Sequence, residues 1–255
     1  MEIHVIASGS KGNCTFVKTE TRNILIDVGI SYSRIKSELE LRQFSISCVD
    51  TILLTHEHTD HTLGLDTLLK KENIAGVFLT NGTHKGLKPK LTINRITKII
   101  KADETYYLDN LAITPIMLSH DANEPVGFVL VENEKKFVYI TDTGFVDKSY
   151  LDLLKNADIY VLESNHHPFM LMNSKRTFQL KRRILGEKGH LSNEDAMWLI
   201  NNLVENKRTI WVVAHISEEC NNILEIEKEL VKGLKKPELI DVYYATIKGI
   251  KGITI

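Results

Sequence analysis

The sequence predicts an α+β fold, a four-layer αββα sandwich, on three observations. Short β-rich segments fill the first third of the chain and again residues from about 96 to 141, and helical periodicity follows each block. No low-complexity tract or linker divides the chain, and no short-period repeat marks a solenoid. At 255 residues, 43% hydrophobic and with five prolines, the chain suits one large domain, residues 1–255, with a sizeable core. Two sheets packed face to face, with helices outside, satisfy that order.

Taken in order, Ile3 to Ala7 alternates as a strand, and the small polar stretch from Ser8 to Asn13 turns after it. Cys14 to Lys18 and Asn23 to Asp27 continue a meander. Ser31 is placed to cap a helix whose face carries Ile35, Leu39 and Arg42. The apolar run Thr51 to Leu54 reads as a buried strand, and Leu65, Leu68 and Leu69 as a helix ending at Lys70 and Lys71. Gly76 to Thr80 reads as a strand, with Asn81 capping a short helix that holds His84. The second block reads as strands over Ile96–Lys101, Tyr106–Leu108, Leu111–Leu118, Gly127–Glu132 and Phe137–Thr141. The last third alternates: a helix near 147–156, a strand Ile159–Glu163, a loop and a basic segment, then a helix from about 192 to 206. A strand Thr209–Ala214, a helix near 221–233 and closing strands complete it.

Composition narrows the function classes. A net charge of −1 gives no bulk attraction for polyanions, so nucleic-acid contact requires a local basic patch. No segment reaches the apolar length of a membrane span, and Met1 to Ala7 lacks the basic and apolar regions of a signal peptide. Three scattered cysteines, Cys14, Cys48 and Cys220, do not form a disulfide framework; the expectation is a cytoplasmic protein with no membrane partner.

The chemistry concentrates in Thr55-His56-Glu57-His58-Thr59-Asp60-His61. Three histidines and an aspartate directly after an apolar strand offer neutral imidazole and carboxylate, the donors that suit zinc, manganese or iron. Extended backbone points residues i and i+2 to one side, so His56 and His58 converge on one ion, and Asp60 and His61 face a second after the turn. Further candidates end other apolar runs: His120 after Ile113–Leu118, Asp142 after Phe137–Ile140, and His215 after Ile210–Val213. Any one of these alone reads more readily as a hydrogen-bonded structural residue.

The order HxHxDH, His, Asp, His resembles the metallo-β-lactamase superfamily of αββα hydrolases, and Ile26-Asp27-Val28-Gly29 resembles its first motif. The resemblance implies two divalent metal ions (Zn²⁺ or Mn²⁺, with Fe possible). His56, His58 and His120 would hold one, Asp60, His61 and His215 the other, and Asp142 would bridge them, with Asp27 bracing the loop from behind. A carboxylate has two oxygens and can hold two cations close. Within the superfamily the segments 7–13, Leu162–His166, Lys181–Leu185, Gly189–Asp195 and Ala214–Ser217 resemble the bacterial YycJ/WalJ-type nucleases. That implies a 5′-to-3′ exonuclease acting on double-stranded DNA through a two-metal-activated water. One departure is His167, where the family pattern leads to an aspartate.

His190 lies just before Ser192, which reads as a helix N-cap with Asp195 three residues on. A helix N-terminus beside a histidine suits a phosphate, so His190 joins Asp60 and Asp142 as an expected catalytic residue, stabilising or protonating the leaving group. The expected DNA- and phosphate-binding set is Ser8, Ser10, Asn13, Asn165, His166, Lys181, Arg182, Arg183, His190 and Ser192. Phe169 to Met172 read as a helix-packing cluster more readily than as a wedge between base pairs. His4, His84 and His167 fit no constellation. The competing functions are a small-molecule hydrolase of the same fold (a thioesterase or lactonase), an RNA-processing nuclease, and a non-catalytic binding protein with one structural metal.

Overall fold

A computed structural model describes residues 1–87 and 96–255. Hydrophobic alternation builds two sheets. The first holds β1 (Glu2–Ala7), β2 (Cys14–Lys18), β3 (Asn23–Ile26), β4 (Thr51–Leu53), β5 (Gly76–Thr80) and β6 (Thr97–Ile100) side by side in that order. The second runs β7 (Tyr106–Leu108), β8 (Leu111–Met117), β9 (Val126–Glu132), β10 (Lys135–Ile140), β11 (Ile159–Glu163), β12 (Thr209–Ala214) and β13 (Ile240–Tyr244). The closing strand β14 (Ile253–Thr254) returns to pair antiparallel with β1, Ile3 opposite Ile253. Antiparallel hairpins give way to parallel pairs at β3–β4–β5–β6 and at β10–β11–β12–β13.

The period of two along each strand separates the layers. Ile24 and Ile26 point into the core between the sheets with Tyr139, Val161 and Val212, while Leu25 between them joins the layer beneath the outer helices. On the second sheet Phe137 and Tyr139 face inward, and Val138 and Ile140 face the helices with Trp211 and Leu199. Each such side chain, fully buried, is worth about 1.5–3 kcal/mol.

Helices α1 (Tyr32–Leu41), α2 (Thr59–Thr62), α3 (Leu65–Lys71) and α4 (Asn81–Gly86) belong to the first half; α5 (Leu151–Leu154), α6 (Pro168–Asn173), α7 (Phe178–Leu185), α8 (Asn193–Leu203) and α9 (Ile223–Gly233) to the second. Ser31 caps α1 and buries Ile35 and Leu39, four apart, on one face. Ser192 and Asp195 close a reciprocal capping box on α8.

Local details differ from expectation. Thr80, not Asn81, caps α4, because its hydroxyl accepts from the Thr83 amide. The expected helix near 147–156 is a 3₁₀ turn, Lys148–Tyr150, running into the single turn of α5. The expected loop before residue 192 contains α6 and α7. Pro168 starts α6 where its fixed φ helps and its missing N–H costs nothing, and Thr177 caps α7. Leu171, Ile184 and Cys220 form a small cluster that fastens the pair to the body. All three cysteines are unpaired. Among the described residues no helix is long and apolar enough to cross a membrane.

Candidate metal centre

Both runs of parallel strands end at one edge, where α/β folds present side chains to ligands. Asp27 follows β3, Asp142 follows β10 and His215 follows β12, and all three take left-handed backbone, at φ 60°, 58° and 50°. Asp and His are enriched among the few non-glycine residues that tolerate this region, and such conformations cluster at functional sites.

Asp27 organises the first loop. Its carboxylate, fully buried, accepts from the Thr55 amide (2.9 Å), the Thr55 hydroxyl (2.9 Å) and His61 Nδ1 (2.7 Å). Removing one partner of such a buried pair costs about 3–5 kcal/mol. The Val28 amide donates to the His61 carbonyl, and Gly29 lies so close to the Asp60 carbonyl that any side chain there would collide with it. His61 is therefore oriented from behind, and its Nε2 lies 3.2 Å from Asp142 Oδ2 and 3.7 Å from Asp60 Oδ2.

His56 Nε2 and His58 Nδ1 stand 3.0 Å apart, and His120 is turned toward them by its Nδ1 at 3.1 Å from the Gly189 carbonyl. Among the groups of donor atoms that result are His56 with His58 and His120, and Asp60 with His61 and His215, the atoms of each lying within 4.8 Å of one another; further groups combine Asp142 with His56 and His61, and with His120 and His190. Asp142 stands between the first two, 3.4 Å from His215 Nε2 and 3.9 Å from His120 Nε2.

The donor set fits a divalent cation. Asp142 Oδ2 and His215 Nε2 are buried without a hydrogen-bond partner, a costly arrangement that a cation would relieve. Burial drives His56 well below the ordinary imidazole range, which keeps it in the neutral, ligating form, and lowers His120 in the same sense.

Glu163 is the functional residue that sequence reasoning missed. It ends β11 with no exposed surface, and its Oε1 accepts from the amides of Thr143 (2.8 Å) and Leu191 (3.1 Å). Its Oε2 lies 3.1 Å from His190 Nδ1 and 3.3 Å from His215 Nδ1. Burial alone would raise its pKa, but His190 and His215 outweigh it and hold the carboxyl at about 2. His215 answers in kind: burial opposes its charge, and Asp142 and Glu163 lift it to about 9. The available signal was a carboxylate closing an otherwise apolar strand, which must find partners when buried.

These groups open on a cavity of about 210 Å³, lined by His58, Asp60, His120, Asp142, His190 and His215 together with Arg176 and Arg183. Ser10 and Asn165 also line it. Arg183 pairs with Asp121, and Arg176 with Glu219 at 3.0 Å.

The remaining expected contacts fall elsewhere. Ser8 accepts from the His215 amide at 2.7 Å, and Asn13 is buried, its amide nitrogen 3.0 Å from His61 Nε2, so both serve to position histidines. The Ser192 hydroxyl is spent on Asp195 in the capping box. His166 is buried with both ring nitrogens unpartnered and does not reach the cavity wall; burial lowers it to about 4. Lys181 and Arg182 sit on another face of α7, around a separate depression. A run of cations in sequence is divided here by helical geometry.

Comparison with known proteins defines the class. A beta-lactamase superfamily domain matches residues 22–216, and the chain belongs to the metallo-β-lactamase superfamily and is a metal-dependent hydrolase. Among its relatives, "Exodeoxyribonuclease WalJ" of Streptococcus pneumoniae is 31% identical over 87% of this chain and 83% of its own. "Exodeoxyribonuclease YycJ" of Bacillus anthracis is 31% identical over 89% of this chain and 86% of its own. Among solved structures, the metallo-β-lactamase fold protein YhfI of Bacillus subtilis superposes with a TM-score of 0.71 at 15% identity, covering 96% of each chain. The short form of human tRNase Z gives 0.66 at 15% identity over the whole of both chains. At those identities the structural likeness speaks to the fold alone.

Proposed function

We propose that this chain, as one domain spanning residues 1–255, is a two-metal exodeoxyribonuclease that shortens double-stranded DNA from 5′ to 3′. The observation that carries this reading is the pair of three-donor groups with Asp142 between them, in a cavity also lined by Arg176 and Arg183. The exodeoxyribonuclease relatives, alike over most of both chains, support the choice of substrate.

His56, His58 and His120 would hold one ion and Asp60, His61 and His215 the other, with Asp142 shared. Bound there, divalent ions supply Lewis-acid polarisation of a phosphate and depress the pKa of water toward neutrality. The protein's own groups do the rest. Arg176 and Arg183 neutralise and orient the phosphodiester, and the guanidinium fork suits its oxygens. Glu163 holds His190 through Nδ1, which leaves Nε2 to carry a proton toward the departing oxygen. Glu163 also fixes His215, so one buried carboxylate aligns a candidate ligand and a candidate acid together.

The test is incubation of metal-loaded protein with end-labelled duplex, single-stranded DNA and RNA, alongside a thioester and a β-lactam. A product ladder advancing from the 5′ end of duplex DNA is the expected result. Turnover of the thioester with intact DNA would transfer the chain to the small-molecule hydrolases.

A further inference from the structure

We propose that helix α7 parts the end of a DNA duplex, directing one strand to the metal cavity and seating unpaired bases of the other on its opposite, aromatic and cationic face. This inference rests on the nuclease reading above. Leu180, Arg183 and Ile184 line the metal cavity. Phe178, Lys181, Arg182 and Leu185 recur at i, i+3, i+4 and i+7, and at about 100° per residue they lie on the other side of the same helix.

That outer face exposes large apolar side chains. Phe178 is 73% exposed, and on α6 Phe169 is 71% and Met172 49% exposed. Packing does not need them, because Leu171 alone anchors α6 against Ile184 and Cys220. Met172, Phe178, Lys181, Arg182 and Leu185 surround a depression of about 300 Å³, large enough for a nucleobase. The two cations there are also uncommitted: Arg182 has no ion-pair partner among the described residues, and the Lys181 ammonium donates to the Met172 carbonyl alone. On the cavity side, by contrast, Arg183 and Arg176 are each tied to a carboxylate.

An aromatic surface beside free cations matches single-stranded nucleic acid, whose bases stack on rings while phosphates meet the charges. The metal cavity lies on the other face of the same helix, which identifies which strand. Two strands separated at a duplex end can therefore pass on either side of α7, the cut strand inward and its complement outward.

The experiment uses the full metal-loaded chain with a blunt duplex, kept from cutting by phosphorothioate linkages at its ends, carrying 5-iodouracil at the last three positions of the strand that is not shortened. Irradiation is expected to crosslink that strand to Phe169 or Phe178, read by peptide mapping. The double variant F169A/F178A should lower affinity for the duplex end about tenfold or more, and tryptophan in place of Phe178 should restore most of it. Crosslinking that maps elsewhere, or wild-type affinity in a double variant of unchanged melting temperature, overturns the proposal. A wild-type chain that cuts DNA without this crosslink sinks the strand-parting role and spares the nuclease reading; a chain that binds no DNA ends both.

Discussion

The turn from Thr55 to His61 packs four candidate ligands against one buried aspartate, whereas the stretch from Glu163 to His190 spreads its contribution over a strand end and two helices. In the first region, chain neighbours become site neighbours, because β4 delivers the loop and Asp27 clamps it through Thr55 and His61. In the second, Glu163, Arg176, Arg183 and His190 come together through packing of α6 and α7 on the body. The difference implies a division of labour. On the proposed function, the turn would present donors for metal, and the assembled segment would handle phosphate, proton and strand.

Disabling the ligand side should have the largest effect. Asp142→Ala removes the carboxylate shared by both donor groups, and hydrolysis should fall by about a thousandfold or more, with metal content by elemental analysis dropping as well. Near-wild-type turnover would break the two-metal account of this region.

His190→Ala, on the other side, should lower kcat by about 10²–10⁴-fold while metal content stays intact, which separates the two regions directly. Glu163→Gln keeps the shape but loses the charge that aligns His190 and His215. Its rate should fall about 10–100-fold, and Glu163→Asp, which keeps the charge, should recover part of the loss. An unchanged rate in Glu163→Gln would reduce Glu163 to a packing residue.

A smaller effect should distinguish the two faces of α7. Arg183→Ala should weaken binding to duplex DNA and reduce the slope of log affinity against log salt by about one, and Arg182→Ala should act in the same sense on substrates whose ends are opened. Equal binding by both variants and the wild type would remove the basic segment from the interface.

The smallest effect lies far from the centre and calibrates stability. Asp158 receives the Lys136 amide at 2.8 Å and pairs with Lys207 at 2.7 Å. Burial opposes its ionisation, but Lys207, the Lys136 amide and Lys135 outweigh it and hold its pKa below 3.8. A depressed folded-state value means that this contribution is complete above the unfolded pKa and is lost as pH falls through the folded one. Melting temperature should therefore drop below about pH 4 less steeply in Asp158→Asn than in the wild type.

Local chemistry made some of this legible. Alternation identified most strands, Ser31 and Ser192 marked helix starts, and the two-residue spacing of His56 and His58 predicted that their rings converge, because those signals act within one turn or one strand. Glu163 stayed hidden because its partners sit 27 and 52 positions away, and a carboxylate at a strand end is indistinguishable from a solvated one until the sheet closes over it.

By itself, then, the sequence determined the sandwich order and the donor types, since residue period and side-chain chemistry are properties of the chain. Tertiary structure decided that Lys181 and Arg182 part from Arg183 across α7, that Ser192 serves the capping box, and that Asp142 stands between the two donor groups. Those outcomes depend on which face is buried and what lies opposite it. They exist only once distant strands end at the same edge.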